Sequence, residues 1–358
     1  MRHSVITATG SYIPEIRVPN EAFLTHHFFE DYGRPFEPEL TPKIIEKFRE
    51  ITDIEERRWV TDDLVASDIG HMAADTALQS GTIDPETLDA VIVAHNFGDV
   101  LMDNRHIDLV PTLAARIKQK LGISNPECIA CDLPFGCPGW LQGLIQADHA
   151  LRLGEARRIL VVAAETLSRI SDPHDRDSML YSDGAGAAVL EAVESDEPLG
   201  LLAAAARSDT VDHARLLWMG ESYNPDYPSR TLFLKMHGRT LYEYALTHVP
   251  ALVKKSLDRA GLGLHDVSKI LLHQANAKMD EAILKRLFRL YGEREIPEGV
   301  MPMSINKLGN SSVATIPTLL DLIVTGRLEG QSINSGDVVV LASVGAGMNI
   351  NSLVYRWA

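Results

Sequence analysis

The sequence is short of cysteine, of basic charge and of long apolar runs, and each shortage closes off a class of function. Three cysteines among 358 residues is an odd number in a long chain; it fits a reducing compartment and offers no disulfide framework. Thirty-four Lys and Arg stand against 49 Asp and Glu, a formal charge of −15. Neither nucleic acid nor an anionic membrane is therefore expected as the main partner. No apolar stretch approaches the roughly 20 residues that span a bilayer, and Met1 to Gly10 runs straight into a β-branched strand without signal-peptide features. A cytoplasmic protein is expected. What is present is ordinary globular composition, 45% hydrophobic and 23% charged. The chain is long enough for one large fold or two domains without disulfide or metal staples.

Continuous Val/Ile/Leu runs alternate with helical stretches, which predicts strands buried on both faces of a mixed α/β sheet. The pattern occurs twice. Leu88 to His95 and Val267 to His273 each read as a strand ending in histidine after a helix and a short loop. Gly136-Cys137 and Gly309-Asn310 each open an apolar helix. Arg158 to Ala164 and Asp337 to Ser343 each form a buried strand leading to Gly-Ala-Gly. Two similar halves, 1–195 and 196–358, would stack as five layers, α/β/α/β/α.

Few residues stand out as chemistry. Cys128 and Cys131 have redox or zinc spacing, yet no second pair completes four zinc ligands; their alternating surroundings read as two small core residues of a strand. Cys137 differs. Gly136 permits a sharp turn and Pro138 is tolerated in a first helical turn, so Cys137 sits at a strand-to-helix elbow where a helix N-terminus favours thiolate. A thiolate nucleophile needs a partner from elsewhere in the fold. His273 ends a strand at its carboxyl end, where α/β folds place their sites. Asn310, read alone, is a helix N-cap.

Phe135-Gly-Cys-Pro-Gly-Trp140, Leu272-His-Gln-Ala-Asn276 and Lys307-Leu-Gly-Asn-Ser-Ser-Val-Ala314 resemble the three active-site motifs of thiolase-fold condensing enzymes, closest to the β-ketoacyl-[acyl-carrier-protein] synthase III family. Thr52 to Arg57, Asp172 to Arg176, Asp183 to Val189 and Gly345 to Gly347 extend the likeness along the chain. The resemblance implies a thiolase-like fold and a ping-pong Claisen condensation without metal or organic cofactor. Cys137 takes the acyl group, held through an oxyanion hole of the Cys137 and Gly347 backbone N–H groups. His273 and Asn310 then stabilise the enolate from a malonyl thioester. It also implies a homodimer and an acyl carrier protein partner, docking beside Lys278, Lys285 and Arg289, which share one helix face; a plain solvated face is the bland alternative.

The chain also departs from that family. Lys47 and Ile51 stand where an aromatic and an arginine clamp adenine, which puts a coenzyme A thioester donor in doubt and favours a carrier-bound or longer donor. The stretch Asn96 to Asp108 is longer than usual. In relatives the next segment lines the acyl pocket and reaches the partner subunit, and Val110 stands about where a bulky aromatic limits chain length. An insertion around Phe28 to Leu40 reads as a lid. Non-decarboxylating acyl transfer to oxygen or nitrogen is the alternative activity, ahead of a silent subunit.

Overall fold

The computed structural model describes residues 1–30 and 33–358. Its two main sheets are built to one plan. The first runs Arg2–Tyr12, Asp183–Glu194, Arg158–Thr166, Ala90–His95, Ile129–Pro134 in spatial order. The second runs Gly200–Ser208, Asn349–Arg356, Val338–Gly345, Val267–Leu272. In both, the first two pairings are antiparallel and the third is parallel. Among the described residues the second sheet has four strands; beyond its last strand the carbonyl of Val300 accepts from the N–H of Ile270 at 2.7 Å.

Helices Gly139–Leu153 and Thr315–Val324 lie between the sheets. They are apolar around most of their circumference because both flanks are buried. Trp140, Leu144 and Leu151 of one and Ile316, Leu319 and Ile323 of the other join strand residues of both sheets in one core. Outside the first sheet pack Ala66–Ser80 and Leu113–Lys120; outside the second pack Gly238–Ala260 and Ala277–Leu290. The layers are α/β/α/β/α, with apolar strands covered on both faces as expected.

Two sequence readings change. Cys128 is buried, but Cys131 is exposed: strand Ile129–Pro134 is the sheet edge, and its outward side chains find no covering layer. Asn310 is not the cap of the inner helix, which begins at Thr315 with Ala314 before it. Asn310 instead makes an isolated parallel bridge with Tyr181 across the two halves. Of the 28–40 insertion, Phe28 is buried with Val18, Phe23 and Met179. Asp31 and Tyr32, within that insertion, lie outside the described residues. No helix among the described residues is long and apolar enough to cross a membrane.

Candidate active site

Strand Ile129–Pro134 ends in a turn at Gly136, whose φ of 84° lies in the left-handed region that glycine tolerates. Cys137 follows, and the helix opens at Gly139 with Pro138 as its N-cap. The loop after strand Val338–Gly345 backs directly onto this turn. A Cβ on Gly345 would stand 2.7 Å from the Cys137 nitrogen and 2.9 Å from its Cβ, so only glycine allows that approach. Gly347 is further along the same loop, with φ 73°.

His273 and Asn310 arrive from the second half. His273 directly follows strand Val267–Leu272, and its N–H donates to the Ala342 carbonyl at 2.9 Å. Asn310 is gripped by backbone: its N–H donates to Leu180 O at 2.9 Å, and its carbonyl accepts from Ser182 N–H at 2.9 Å. The Asn310 Oδ1 accepts from Ser312 N–H at 2.8 Å, which leaves the amide nitrogen as the free end of the side chain. All three residues line a cavity of about 540 Å³. A second, of about 380 Å³, meets it at Cys137 and is walled by Phe97, Phe135, Leu217, Trp218 and Gly347 among others.

Electrostatics assigns protonation states. Burial lowers His273 to about 4, against the raising influence of a hydrogen bond to the Ser312 backbone, so the imidazole is neutral at physiological pH. Its Nδ1 is buried without a protein partner. Burial pushes the Cys137 thiol up to about 11, while a hydrogen bond from Ser312 pulls it down. The Ser312 hydroxyl donates to Cys137 Sγ at 3.2 Å. The other strand-terminal histidine, His95, is bound at both nitrogens: Nε2 to Asp132 at 3.0 Å and Nδ1 to the Gly98 N–H at 3.0 Å. The matched strands thus carry one tied histidine and one that faces a cavity.

Lys278, Lys285 and Arg289 are exposed on helix Ala277–Leu290, and Lys285 pairs with Glu281 at 3.3 Å. Asn276 and Met279 from the start of that helix line the larger cavity, as do Lys47 and Ile51. Phe36 and Leu40 of the insertion line it too. Val110 does not match its expectation within one chain: it is 85% exposed and lines neither cavity at Cys137. Among the described residues no group of three or more His, Cys, Asp or Glu could hold a metal ion.

Sequence reasoning missed Ser312, Asn96 and Glu165, which the fold joins to Cys137. Glu165 had a signal. It follows the unbroken apolar run Ile159 to Ala164, and a carboxylate ending such a strand needs buried partners.

Two matches cover much of the chain. The family described as 3-oxoacyl-[acyl-carrier-protein (ACP)] synthase III matches residues 131–210, and its C-terminal counterpart matches residues 257–357. The β-ketoacyl-[acyl-carrier-protein] synthase III of Paracoccus denitrificans is 32% identical over 361 aligned positions, covering 100% of each chain. Among solved structures, the corresponding synthase from Thermus thermophilus superposes with a TM-score of 0.80 at 30% identity, covering 99% of each chain. The priming β-ketosynthase of the R1128 polyketide pathway does so at 0.78 and 26%, covering 99% of this chain and 96% of that one.

Proposed function

This chain belongs to the β-ketoacyl-[acyl-carrier-protein] synthase III family of acyltransferases, and from that premise we propose a decarboxylative Claisen condensation run by Cys137, His273 and Asn310. The observation that carries it is their meeting, from two halves of the chain, on one cavity. The Cys137 sulfur attacks an acyl thioester carbonyl, the thiol of the donor departs with the proton from Cys137, and the acyl group stays on sulfur. N–H groups of Cys137 and Gly347 receive the oxyanion. A malonyl thioester then loses CO₂. The resulting enolate oxygen takes hydrogen bonds from neutral His273 and from Asn310 Nδ2, and its carbon attacks the acyl-Cys to release a β-ketoacyl thioester. A neutral imidazole suits the carbanion, because an imidazolium would protonate it.

The thioester arm enters by the larger cavity, whose rim carries Lys43 and Lys47 and adjoins the helix of Lys278, Lys285 and Arg289. Those cations suit an acidic acyl carrier protein. The acyl chain occupies the smaller, aromatic-walled cavity. No aromatic clamp stands at Lys47 and Ile51, so carrier-bound donors are favoured over coenzyme A thioesters. A homodimer is supported by the unpaired edge strand Ile129–Pro134 and by exposed Leu101, Met102, Ile107, Leu109 and Val110, an apolar surface a monomer rarely leaves open. The free thiols fit the cytoplasm, and halves 1–195 and 196–358 fit a duplication.

Intact-mass analysis tests the chemistry with acyl-coenzyme A and acyl-carrier donors followed by malonyl-carrier protein. Wild type is expected to gain the acyl mass and then shed it as β-ketoacyl product. Cys137→Ala should gain nothing, and His273→Ala should hold the acyl group but fail to decarboxylate malonyl thioester. An adduct on Cys137→Ala, or transfer of the acyl group without CO₂ release, would overturn the reading.

A further inference from the structure

Cys137 has a neighbour outside the proposed condensation machinery, and that neighbour ends a chain of part-buried hydrogen bonds. The Asn96 backbone N–H donates to Glu165 Oε2 at 3.0 Å, and its Nδ2 donates to the same oxygen. Asn96 Nδ2 also donates to Ser312 Oγ at 2.9 Å, and Ser312 Oγ donates to Cys137 Sγ at 3.2 Å. Glu165 is 1% exposed. Chemistry fixes the direction of this chain. Burial raises the Glu165 carboxyl to about 7 against the lowering pull of the Asn96 bonds, so at pH 8 it is chiefly carboxylate and accepts. The carboxamide of Asn96 then presents nitrogen to it, since the reversed amide would set oxygen against oxygen. The same nitrogen supplies a hydrogen to Ser312, whose oxygen thereby accepts. The one hydrogen of the Ser312 hydroxyl is left for sulfur.

Ser312 itself is held unusually. Its φ of 53° lies in the left-handed region, which side chains other than glycine rarely adopt, and it is buried. From that conformation it reaches all three residues of the proposed site: Cys137 through Oγ, Asn310 through N–H, and His273 through its backbone. Strained residues persist where surrounding contacts over-determine them, commonly at functional sites.

We propose that Ser312 is a further catalytic residue, its hydroxyl stabilising the Cys137 thiolate as it forms and as it leaves, with Asn96 and Glu165 as positioning residues that fix the direction of that hydrogen bond. The inference rests on Cys137 being the nucleophile. Ser312 keeps its own proton throughout; the thiol proton departs with the leaving thiol of the donor. Helix Gly139–Leu153 contributes its N-terminus to the same sulfur, but that contribution is non-directional. Ser312 supplies an aimed donor.

The test is the pH dependence of Cys137 alkylation by iodoacetamide in the full-length protein, with single-turnover acylation measured beside it. The titratable groups around the sulfur are His273, Glu165 and Tyr181, and all three are unchanged in the Ser312 and Asn96 variants. Ser312→Ala should raise the apparent pKa of Cys137 by about one unit and slow alkylation at pH 8 roughly tenfold. Ser312→Gly, which suits the positive φ and so keeps the fold, should do the same. Asn96→Ala should shift the profile in the same direction by less. The double variant should match Ser312→Ala alone, because Asn96 acts only through Ser312. Glu165→Gln, which retains an acceptor for Asn96 but removes a negative charge that raises Cys137, should not shift the profile upward. An unchanged profile in Ser312→Gly, or additive shifts in the double variant, would overturn the relay. Failure of wild-type Cys137 to take any acyl group counts instead against the proposed function, because alkylation reads the sulfur without an acyl donor.

Discussion

At the scale of single residues, His273 shows how burial chooses a chemical role. With its pKa lowered to about 4, only about 1% of the imidazole is protonated at pH 6. Malonyl decarboxylation, measured in the Cys137→Ala variant so that no thiol contributes, is expected to stay flat from pH 8 down to pH 6. A fall centred near 6.5, the ordinary histidine value, would mean that the ring is solvated and the enolate role misassigned. Cys137 and His273 were legible in the sequence because a turn glycine and a strand end mark them. Ser312 was not, since a serine near a helix start has a common structural meaning, and the apolar run before Glu165 marks it as needing partners without naming them. Only the crossing of Asn96 between these two residues, 216 positions from Ser312 and 69 from Glu165, gives them a chemical meaning, and pattern along the chain does not carry that separation.

Among elements, the loop of Gly345 to Gly347 does for the nucleophile what the strands do for the halves. Gly345→Ala would place a methyl 2.7 Å from the Cys137 nitrogen and the Pro138 Cδ. Overpacking of that kind costs about 1–3 kcal/mol, and the turn holding the sulfur must move. Acylation is expected to slow roughly 100-fold, since a displacement of ~1 Å can cost that much; single-turnover mass analysis and thermal melting measure the two effects. Acylation at the wild-type rate would show that the seam yields without moving the sulfur. The repeat read from the chain matches the paired inner helices, but its two Gly-Ala-Gly runs differ: 184–186 lie inside strand Asp183–Glu194, whereas 345–347 leave strand Val338–Gly345 in a turn. It misplaced the helix start after Asn310, because Ser312 to Ala314 form a short 3₁₀ turn first, and cap preference alone cannot see a bridge to Tyr181. It also took Cys131 as core, because alternation marks a strand but does not say that the strand lies at an edge.

On the scale of the whole molecule, two exposed surfaces make opposite demands. The strip of Lys278, Lys285 and Arg289 is charged on a chain of net −15, so docking on it, as proposed, would act against the overall field. Lys285→Glu is expected to raise KM for carrier-linked substrate several-fold, leave kcat nearly unchanged and spare coenzyme A-linked substrate; equal effects on both would assign the helix a purely structural part. The edge strand is apolar, with Ile129 60% exposed. Ile129→Lys should weaken the proposed self-association in analytical ultracentrifugation while the monomer stays folded, and an unchanged sedimentation coefficient would count against this edge as a self-association surface. The Tyr181–Asn310 bridge has a further consequence. One candidate catalytic group is anchored in the half that carries Cys137, so turnover doubles as a gauge of how the halves sit together. Under mild denaturant, activity should fade before either sheet begins to melt.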